Sequence, residues 1–297
     1  MMMEATIKDI NDKYPFLKIE KCIGRGMFSH VYVGRYNSFY PVAIKIFNRD
    51  LCEIHNTEFD IHRYIGGCPY IIEAIGYEKI PMCLILEYFP STTLKMLKNR
   101  LNIPKIRSIL KNVLMGLDYL DEKGIIHCDI QLDNILVSPN EESAKIIDFG
   151  CACYAIGPKS TKIGNRFYRA PEVLLEYPNY QKNIDIWSLG TSIFFLLNPG
   201  EIPWNTTRTI TEPIEMSKIW GKRRILDAMK SINHNPPKQI IEEMSERITM
   251  PFMSILEQAP EALYDQQLFN LVEYMMTIDS TKRPSASEVL KHPFFNE

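Results

Sequence analysis

The chain has 297 residues, of which 45% are hydrophobic and 24% are charged, and its formal net charge is -2. This composition fits a globular enzyme with one large core or two modest ones, and it excludes a fibre, a coiled coil or a disordered chain. A charge so close to zero gives no general attraction to nucleic acid or to an anionic membrane, so we expect neither as a direct partner.

Cysteine usage and hydropathy bear on the cellular compartment. The seven cysteines are scattered, odd in number and never spaced as CxxC, which predicts free thiols in a reducing compartment. The start of the chain carries acids and lacks the apolar segment of a signal peptide, and apolar runs stay shorter than the roughly 18 to 20 residues that span a bilayer. We therefore expect a nuclear or cytoplasmic protein.

The local pattern changes near residue 90. Before it, one helix is predicted at about residues 50–65. Around that helix, short runs rich in Ile, Val, Tyr and Leu are separated by turn residues, as a small antiparallel sheet requires. These predicted strands cover residues 17–34, 41–47, 70–78 and 81–88.

Beyond residue 90 the pattern is helical. Apolar residues recur at three- and four-residue steps from 104 to 120, which predicts an amphipathic helix ended by Gly124. A second helix over 184–197 is apolar on most sides and is predicted to be buried, and prolines at 236, 237 and 251 predict short helices after it. Apolar positions within 205–267 are interpreted as helix faces packed on the core, with a partner-binding groove as the alternative.

A glycine-rich turn lies between the first two predicted strands. Glycine leaves the backbone bare, so that amide groups can approach phosphate oxygens closely. The third position of the usual glycine pattern is Ser29, and ordinary hairpins also contain two glycines, so the turn alone decides nothing. The candidate nucleotide-binding residues of this turn are Ile23, Gly24, Arg25, Gly26, Met27, Phe28, Ser29, His30 and Val31.

The next predicted strand contains a lysine after an apolar run. Lys45 follows Val42, Ala43 and Ile44, and a lysine in such a place needs an anionic partner. Glu58, on the predicted helix, can supply that charge. A lone lysine on a strand usually faces water. This one, however, follows the glycines at the sequence spacing at which a lysine that contacts ATP phosphates is expected.

The strongest signal lies in residues 126–136 and 146–150, where two carboxylates and a carboxamide occur at fixed offsets. Phosphoryl transfer needs a base or orienting group for the incoming hydroxyl, and oxygen ligands for Mg²⁺. Asp129 can serve as the base, and Asn134 and Asp148 can hold the metal. Each alone could be a turn residue or a helix cap. Together with the glycine turn and the lysine, they predict a phosphotransferase that uses ATP and Mg²⁺.

These motifs resemble the eukaryotic protein kinase family over residues 14–295. Further motifs follow in the family's order: Arg-Ala-Pro-Glu at 169–172, Asp-Ile-Trp-Ser-Leu-Gly at 185–190 and Lys-Arg-Pro at 282–284. The resemblance implies an α+β, bilobal protein kinase fold with a small, mostly antiparallel β lobe that contains one key helix, and a larger α-helical lobe. The implied boundaries are a tail at 1–13, the small lobe at 14–89 and the larger lobe at 90–297.

The resemblance also implies roles for individual residues. Glu87 and Phe89 hydrogen-bond the adenine of ATP, and Leu86 is the gatekeeper. The residues that sandwich the base are Val31, Ala43 and Leu136. Lys45, Glu58, Asp129 and Gln131 are the implied catalytic residues. Glu172 and Arg283 form a buried ion pair that braces the segment binding the protein substrate.

The catalytic loop, residues 127–134, departs from the family pattern at two places. Cys128 stands where the family has an arginine that binds a phosphate on the activation segment, residues 148–172. Its absence favours activation by a bound regulatory subunit, although Ser160 and Thr161 are present. Gln131 replaces a lysine and keeps a donor without the charge, a change worth about 2 to 4 kcal/mol in the barrier by analogy with an oxyanion donor.

Two further departures accompany these. Asn165 replaces a threonine that usually contacts the missing lysine, so the changes at 131 and 165 lie on two sides of one contact and can compensate. His62 lies where the family usually packs an apolar side chain, which would loosen the helix of Glu58 until a partner binds.

Within the family, the chain is most similar to the cell division control protein 7 serine/threonine kinases, in a compact form. The stretches that carry this similarity are residues 18–24 with 28–32, 66–67, 177–179 with 184–188, and 214–225. It implies a nuclear serine/threonine kinase that acts in DNA replication initiation and the cell cycle. Such a kinase is activated by a regulatory subunit and phosphorylates acidic-context sites on the replicative helicase. The alternatives are a casein kinase two-like or cyclin-dependent-like kinase, a partner-dependent pseudokinase or scaffold, and a kinase of small molecules.

Overall fold

The computed structural model describes residues 2–26, 29–47, 52–79, 82–198, 203–204 and 211–296. The chain divides into two compact units, Met1–Pro90 and Ser91–Glu297. The first unit holds a five-stranded antiparallel sheet, and the second is largely helical. The predicted α+β class, with a strand-rich part before a helical part, is confirmed.

The first unit is built on one sheet with the strand order β1-β2-β3-β5-β4. The predicted helix at 50–65 is observed as α2. The strand predicted from residue 70 starts only at residue 74, and Ile71 and Ile72 before it are buried. The elements are α1 (Met2–Lys13), β1 (Leu17–Arg25), β2 (Ser29–Tyr36), β3 (Tyr40–Phe47), α2 (Cys52–Tyr64), β4 (Ala74–Lys79) and β5 (Met82–Glu87).

One face of this sheet forms the core of the first unit. Alternation along β3 buries Val42, Ile44 and Ile46, since successive side chains of a strand point to opposite faces. The predicted tail at 1–13 contains α1, whose Ile10 is fully buried in the same cluster. Helix α1 therefore packs on the sheet and covers apolar surface that would otherwise face water.

The second unit is organised around two long helices, α3 and α5. Helix α3 starts where the side chain of Asn102 accepts the backbone N–H of Lys105, and it ends just before Gly124, which has a φ of 67°. Helix α5 is buried at every position except Phe195, as its apolar composition predicts. The helices are α3 (Ile103–Glu122), α4 (Pro171–Leu174), α5 (Ile184–Leu197), α6 (Glu212–Trp220), α7 (Lys222–Ser231), α8 (Lys238–Glu243), α9 (Phe252–Leu256), α10 (Gln266–Met275) and α11 (Ala286–Val289).

Short strands of the second unit carry the candidate catalytic residues. Strand β7 leads into the catalytic loop and pairs with β10, while β6, β8 and β9 form a small sheet beside the loop. These strands are β6 (Thr92–Thr93), β7 (Ile125–Ile126), β8 (Ile135–Val137), β9 (Ala144–Ile146) and β10 (Cys153–Tyr154). Short 3-10 helices cover Leu94–Leu97, Leu132–Asn134, Arg166–Tyr168, Glu261–Leu263 and Pro293–Phe295.

The later part of the second unit consists of short helices, as its prolines predict. Helix α8 begins after Pro237 and α9 begins after Pro251, since proline is tolerated at the start of a helix but not inside it. Among the helices of the described ranges, none has the length and apolarity needed to cross a bilayer.

Candidate active site

The first unit supplies a buried ion pair. Lys45 Nζ on β3 lies 2.7 Å from Oε1 and 2.9 Å from Oε2 of Glu58 on α2. Both side chains are almost fully buried, so each charge depends on its partner in place of water. The predicted pairing of Lys45 with Glu58 is confirmed.

The glycine turn joins β1 to β2. Gly24 pairs with Val31 and Arg25 with His30, and the Gly26 N–H donates to the Ser29 carbonyl over 2.8 Å. Met27 and Phe28, also predicted to bind nucleotide, lie outside the described residues, whereas Ile23 is half exposed and Ser29 is buried.

Among the described residues, no contact requires a glycine at position 24 of this turn. A Cβ added at Gly24 would come no closer than 3.6 Å to Val31, and neither Gly24 nor Gly26 has a positive φ. By contrast, a Cβ at Gly34, farther along β2, would lie 2.3 Å from the Lys18 carbonyl oxygen. Gly24 is thus not explained by packing against the described residues, which favours close approach of a ligand over the ordinary-hairpin reading.

The predicted adenine-binding residues of the first unit cluster on adjacent strands. Ala43 on β3 pairs with Leu86 on β5, and Val31 on β2 pairs with Lys45. Glu87 ends β5, and its backbone N–H donates to the Glu73 carbonyl over 2.9 Å. Phe89 follows two residues later and is partly buried. Leu136, the remaining member of the predicted set, lies on β8 of the second unit and is also partly buried.

In the second unit, Asp129 lies at the centre of a hydrogen-bond network. Its Oδ1 accepts the backbone N–H of Asn165 over 2.9 Å, and its Oδ2 accepts Asn134 Nδ2 over 2.8 Å. Gln131 Nε2 lies 3.0 Å from both carboxylate oxygens. In each of these contacts an N–H group donates to the carboxylate. The arrangement therefore matches the ionised form of Asp129, which is the form that acts as a base.

The environment of Asp129 tunes its basicity. Burial raises the pKa of its carboxyl, and the charge of Asp148 acts in the same direction. The hydrogen bonds from Asn165, Asn134 and Gln131 oppose this rise. The net effect is a raised pKa, which makes Asp129 a better proton acceptor than an aspartate in water.

The predicted metal ligands stand on the loop and just beyond β9. Asn134 Nδ2 also donates to the Asp129 carbonyl, and the Asn134 carbonyl accepts the Ile147 N–H over 3.0 Å. Asp148 is exposed and has a φ of 66°, a left-handed backbone that is strained for a residue with a side chain. Phe149 after it is fully buried and contacts the His127 ring at a centroid distance of 4.8 Å.

His127 and Asp185 hold the start of the catalytic loop. Asp185 on α5 is buried and accepts the backbone N–H groups of His127 and Cys128 over 2.7 and 2.9 Å. His127 Nδ1 accepts the Asp129 N–H, which leaves Nε2 to donate to the Ile147 carbonyl over 3.0 Å. The tautomer with the proton on Nε2 thus links the loop to the segment that carries Asp148.

Glu172 and Arg283 form the predicted buried pair. Arg283 Nη1 and Nη2 donate to the two Glu172 oxygens over 2.7 and 2.9 Å, and both side chains are essentially inaccessible to solvent. This bidentate geometry confirms the prediction and ties α4, at the end of the activation segment, to the loop before α11.

The comparison with known families decides what this arrangement belongs to. The family described as protein kinase domain matches residues 17–295, which is nearly the whole chain. The chain belongs to the eukaryotic protein kinase family. Kinases of this family use ATP and a divalent metal, so the ion pair of the first unit and the carboxylates of the second lie in a domain built for phosphoryl transfer.

Individual relatives show how far the similarity extends. A probable casein kinase II subunit alpha homolog of Encephalitozoon cuniculi is 25% identical over 287 residues, which cover 94% of this kinase and 88% of the relative. Mitogen-activated protein kinase 12 of Mus musculus is 30% identical over 213 residues, or 71% of this kinase and 56% of the relative. The same protein of Rattus norvegicus is 29% identical over 213 residues. The kinase thus spans just over half the length of these mitogen-activated relatives.

The donor set of this kinase suits a hard divalent cation. Among the described residues, no cluster of three His, Cys, Asp or Glu side chains could hold a metal by itself. Asn134 and Asp148 offer oxygen ligands, and Mg²⁺ typically takes only one or two carboxylates and completes its shell with nucleotide phosphates and water. The residues present therefore fit a metal that arrives with ATP.

Two of the departures from the family pattern, at positions 131 and 165, contact each other. Asn165 Nδ2 donates to Gln131 Oε1 over 3.1 Å, so the expected contact between positions 131 and 165 exists. Gln131 touches the base through its other amide atom, which makes it a positioning residue for Asp129. Cys128 has a φ of 66° and lies 3.6 Å from Cys153, sulfur to sulfur. His62 on α2 is buried.

Three contributors to the site escaped the sequence analysis. A Cβ added at Gly164, where φ is 46°, would lie 2.4 Å from the Cys128 carbonyl oxygen and 2.7 Å from Asp129 Oδ1. Arg169 donates to the carbonyls of Ile163 and Gly164, which holds that close approach. Arg169 and Asp185 were noted only as parts of motifs, without a role at the site. The signal for Gly164 was its place just before Asn165, but a lone glycine has many explanations.

The region 205–267 mostly forms packed helix faces, as interpreted, although residues 205–210 lie outside the described part. Ile225, Ile240 and Leu256 are buried, whereas Ile248 is half exposed. Ile248 lines a cavity of about 620 Å³ together with Trp220, and this cavity does not include the catalytic loop.

Proposed function

We propose that this chain is an active serine/threonine protein kinase that transfers the γ-phosphoryl group of ATP to protein hydroxyl groups, with Mg²⁺ as the metal. The observation that carries the proposal is the hydrogen-bonded carboxylate of Asp129, whose donors all favour the ionised form. The raised pKa of this group supports its role as a base.

The proposed step follows from these residues. As the oxygen of the substrate hydroxyl bonds to the γ-phosphorus, its proton passes to Asp129, and the bond from that phosphorus to the departing ADP breaks. Lys45, held by Glu58, supplies a cation for the ATP phosphates. Asn134 and Asp148 would hold Mg²⁺, which supplies charge neutralisation at the phosphates when bound.

A scaffold role without catalysis is the second candidate, and the observation behind it is Gln131. Its amide donor lies against Asp129, and the residue brings no positive charge to the transferred group. The intact Lys45–Glu58 pair supports catalysis, because a protein that does not transfer phosphate has no need to keep two charges buried together.

The substrate class and partner are finer proposals. The casein kinase II relative, which matches nearly the whole chain, supports a casein kinase II-like enzyme, and the word subunit in its name supports a regulatory partner. The motif similarities at 18–24 and 214–225 support a nuclear kinase of replication initiation instead. We propose the casein kinase II-like assignment first, because its support extends over 94% of the chain.

Radiolabelled phosphate transfer tests these proposals. The chain is incubated with Mg²⁺ and ATP and either casein or a replicative helicase subunit, beside the Asp129→Ala and Asp148→Ala variants. Asp133→Ala is the matched control, since Asp133 lies in the same loop but is exposed and pairs with Lys95. We expect transfer by the unmodified chain and the control only.

The outcomes separate the candidates. Preference for casein supports the casein kinase II-like assignment, and preference for the helicase subunit supports the replication role. If transfer by the unmodified chain, with and without candidate regulatory subunits, equals that of Asp129→Ala while ATP still binds, the kinase proposal is wrong and the scaffold role replaces it.

A further inference from the structure

Two thiols of the second unit lie in contact, one in the catalytic loop and one near the start of the activation segment. Cys128 directly precedes Asp129, and Cys153 begins β10, where it pairs with Ile126 of β7. The two sulfur atoms are 3.6 Å apart, and both residues are present as thiols. A disulfide has a sulfur separation of about 2.05 Å, so the two sulfur atoms must approach each other by roughly 1.5 Å to form one.

The two thiols differ in the way a reactive pair requires. Cys153 is partly exposed, and its hydrogen bond with Cys128 lowers the pKa of its thiol, with Lys159 acting in the same direction. Cys128 is buried, and its contact with Cys153 and its burial raise the pKa of its thiol. A partly exposed thiol with a lowered pKa beside a buried thiol is the usual arrangement of a residue that is oxidised first and a residue that resolves it.

We propose that Cys128 and Cys153 form a reversible disulfide that ties the activation segment to the catalytic loop. The oxidant is a peroxide such as hydrogen peroxide. The Cys153 thiolate attacks one peroxide oxygen, the O–O bond breaks, and hydroxide leaves and takes up a proton to give water. The Cys128 sulfur then attacks the sulfenic acid, the S–O bond breaks, and a second water leaves. Two thiols lose two electrons and one peroxide is reduced.

The position of the bond gives it a role in regulation, which rests on the proposed kinase function. Cys128 replaces the arginine that, in the family pattern, holds a phosphate of the activation segment. A disulfide to Cys153 would connect the same two elements covalently. Asn165, farther along this segment, donates its N–H to Asp129, so a segment held near the loop keeps that donor in place. We therefore expect oxidation to raise phosphate transfer.

The competing explanation is that the two cysteines are only small apolar side chains in contact. It predicts no selective cross-link under native conditions. The first measurement treats the reduced, desalted chain with hydrogen peroxide, records intact mass, and maps peptides without reduction. We expect the loss of two hydrogens and a peptide joining Cys128 to Cys153, both reversed by a thiol reductant.

Two serine variants make the mapping specific. Cys153→Ser should abolish the cross-link, while Cys151→Ser, two residues away and outside the contact, should retain it. Backbone hydrogen exchange over residues 151–165 should slow on oxidation of the unmodified chain and of Cys151→Ser only. Absence of the cross-link in the native chain, or its appearance only in denaturant, overturns the proposal.

Activity tests the regulatory part separately. Oxidation should increase transfer about fivefold or more, the lower range of common allosteric couplings, in the unmodified chain and in Cys151→Ser but not in Cys153→Ser. If the cross-link forms and activity stays equal or falls, the regulatory part is wrong although the disulfide stands. If neither redox form exceeds Asp129→Ala, the kinase function itself fails, whatever the mass shows.

Discussion

Replacing Gln131 with alanine removes the amide donor that lies 3.0 Å from both carboxylate oxygens of Asp129. A hydrogen bond to a charged group contributes about 1.5 to 3 kcal/mol. We expect the lower end, because Gln131 is only partly buried and Asp129 keeps the donors of Asn134 and Asn165. A loss of about 1.5 kcal/mol in the transition state corresponds to a roughly tenfold fall in kcat/KM.

The same substitution changes the pH dependence in a defined direction. The hydrogen bond from Gln131 lowers the pKa of Asp129 against the larger effect of burial, which raises it. The base works only when deprotonated, so activity falls as the pH drops through its pKa. Without Gln131 the pKa rises further, and the acidic limb of the kcat/KM profile moves to higher pH.

The assay measures kcat/KM for peptide phosphorylation across the acidic range. Gln266→Ala is a matched control, because Gln266 is an exposed glutamine whose amide donates to Asn270 on the same helix. A profile of Gln131→Ala with the same height and the same acidic limb as the control would refute the positioning role of Gln131. A uniform loss at every pH without movement of the limb would refute the link through the pKa of Asp129.

Three further substitutions test the rest of the site. Arg283→Met leaves the buried Glu172 carboxylate without its cation, which should destabilise the protein by about 3 to 5 kcal/mol. The Tm should fall by roughly 10 °C, and a fall of less than about 2 °C would contradict this. The added Cβ of Gly164→Ala would collide with the Cys128 carbonyl oxygen. We therefore expect kcat to fall more than about tenfold while the circular dichroism spectrum stays unchanged. Full activity would show that the loop can move to accept the methyl group. Lys45→Met removes the cation that balances Glu58 and should abolish transfer, and activity near that of the unmodified chain would exclude Lys45 from catalysis.

The sequence could predict the parts of the site that depend on local spacing. Asp129 and Asn134 lie five positions apart on one loop, so their meeting requires no knowledge of the fold. The Lys45–Glu58 pair was also predictable, since a lysine within an apolar strand needs an acid nearby and the next helix offered one. The strands of the first unit were predictable for the same reason, because alternation and turn residues act over a few positions.

The parts that could not be predicted depend on contacts between distant segments. The approach of Gly164 to Cys128 and the capping of the loop by Asp185 join residues far apart in sequence. Neither contact leaves a periodic pattern. Helix α1 was missed for a different reason, since Ile7 and Ile10 are too few apolar positions to define a helical face. Only the sheet on which they pack explains why this segment is ordered.

The departures from the family pattern acquire a meaning when they are considered with their partners. Compared with the family pattern, Gln131 lacks the charge of the lysine that it replaces. Its amide nitrogen contacts Asp129, and its amide oxygen accepts a hydrogen bond from the Asn165 side chain. The backbone N–H of Asn165 donates to Asp129 as well. A lysine would bring a charge to the phosphate, but its ammonium group would face the Asn165 Nδ2 donor. Gln131→Lys should therefore speed transfer only if the amide of Asn165 can turn its oxygen toward the new cation. That oxygen now accepts the Phe167 N–H, and a competition between the two donors follows.

A double-mutant cycle with Gln131→Lys and Asn165→Thr measures that competition. If position 165 must change for the lysine to act, the double variant should exceed the Gln131→Lys variant by more than the effect of Asn165→Thr alone, with a coupling of about 0.5 to 3 kcal/mol. Additive effects would mean that the two positions act independently, and the contact between Gln131 and Asn165 would then have no bearing on catalysis. Gln131→Lys also removes the Gln131 donor to Asp129, but this change is common to both variants that carry the lysine and cancels in the coupling energy.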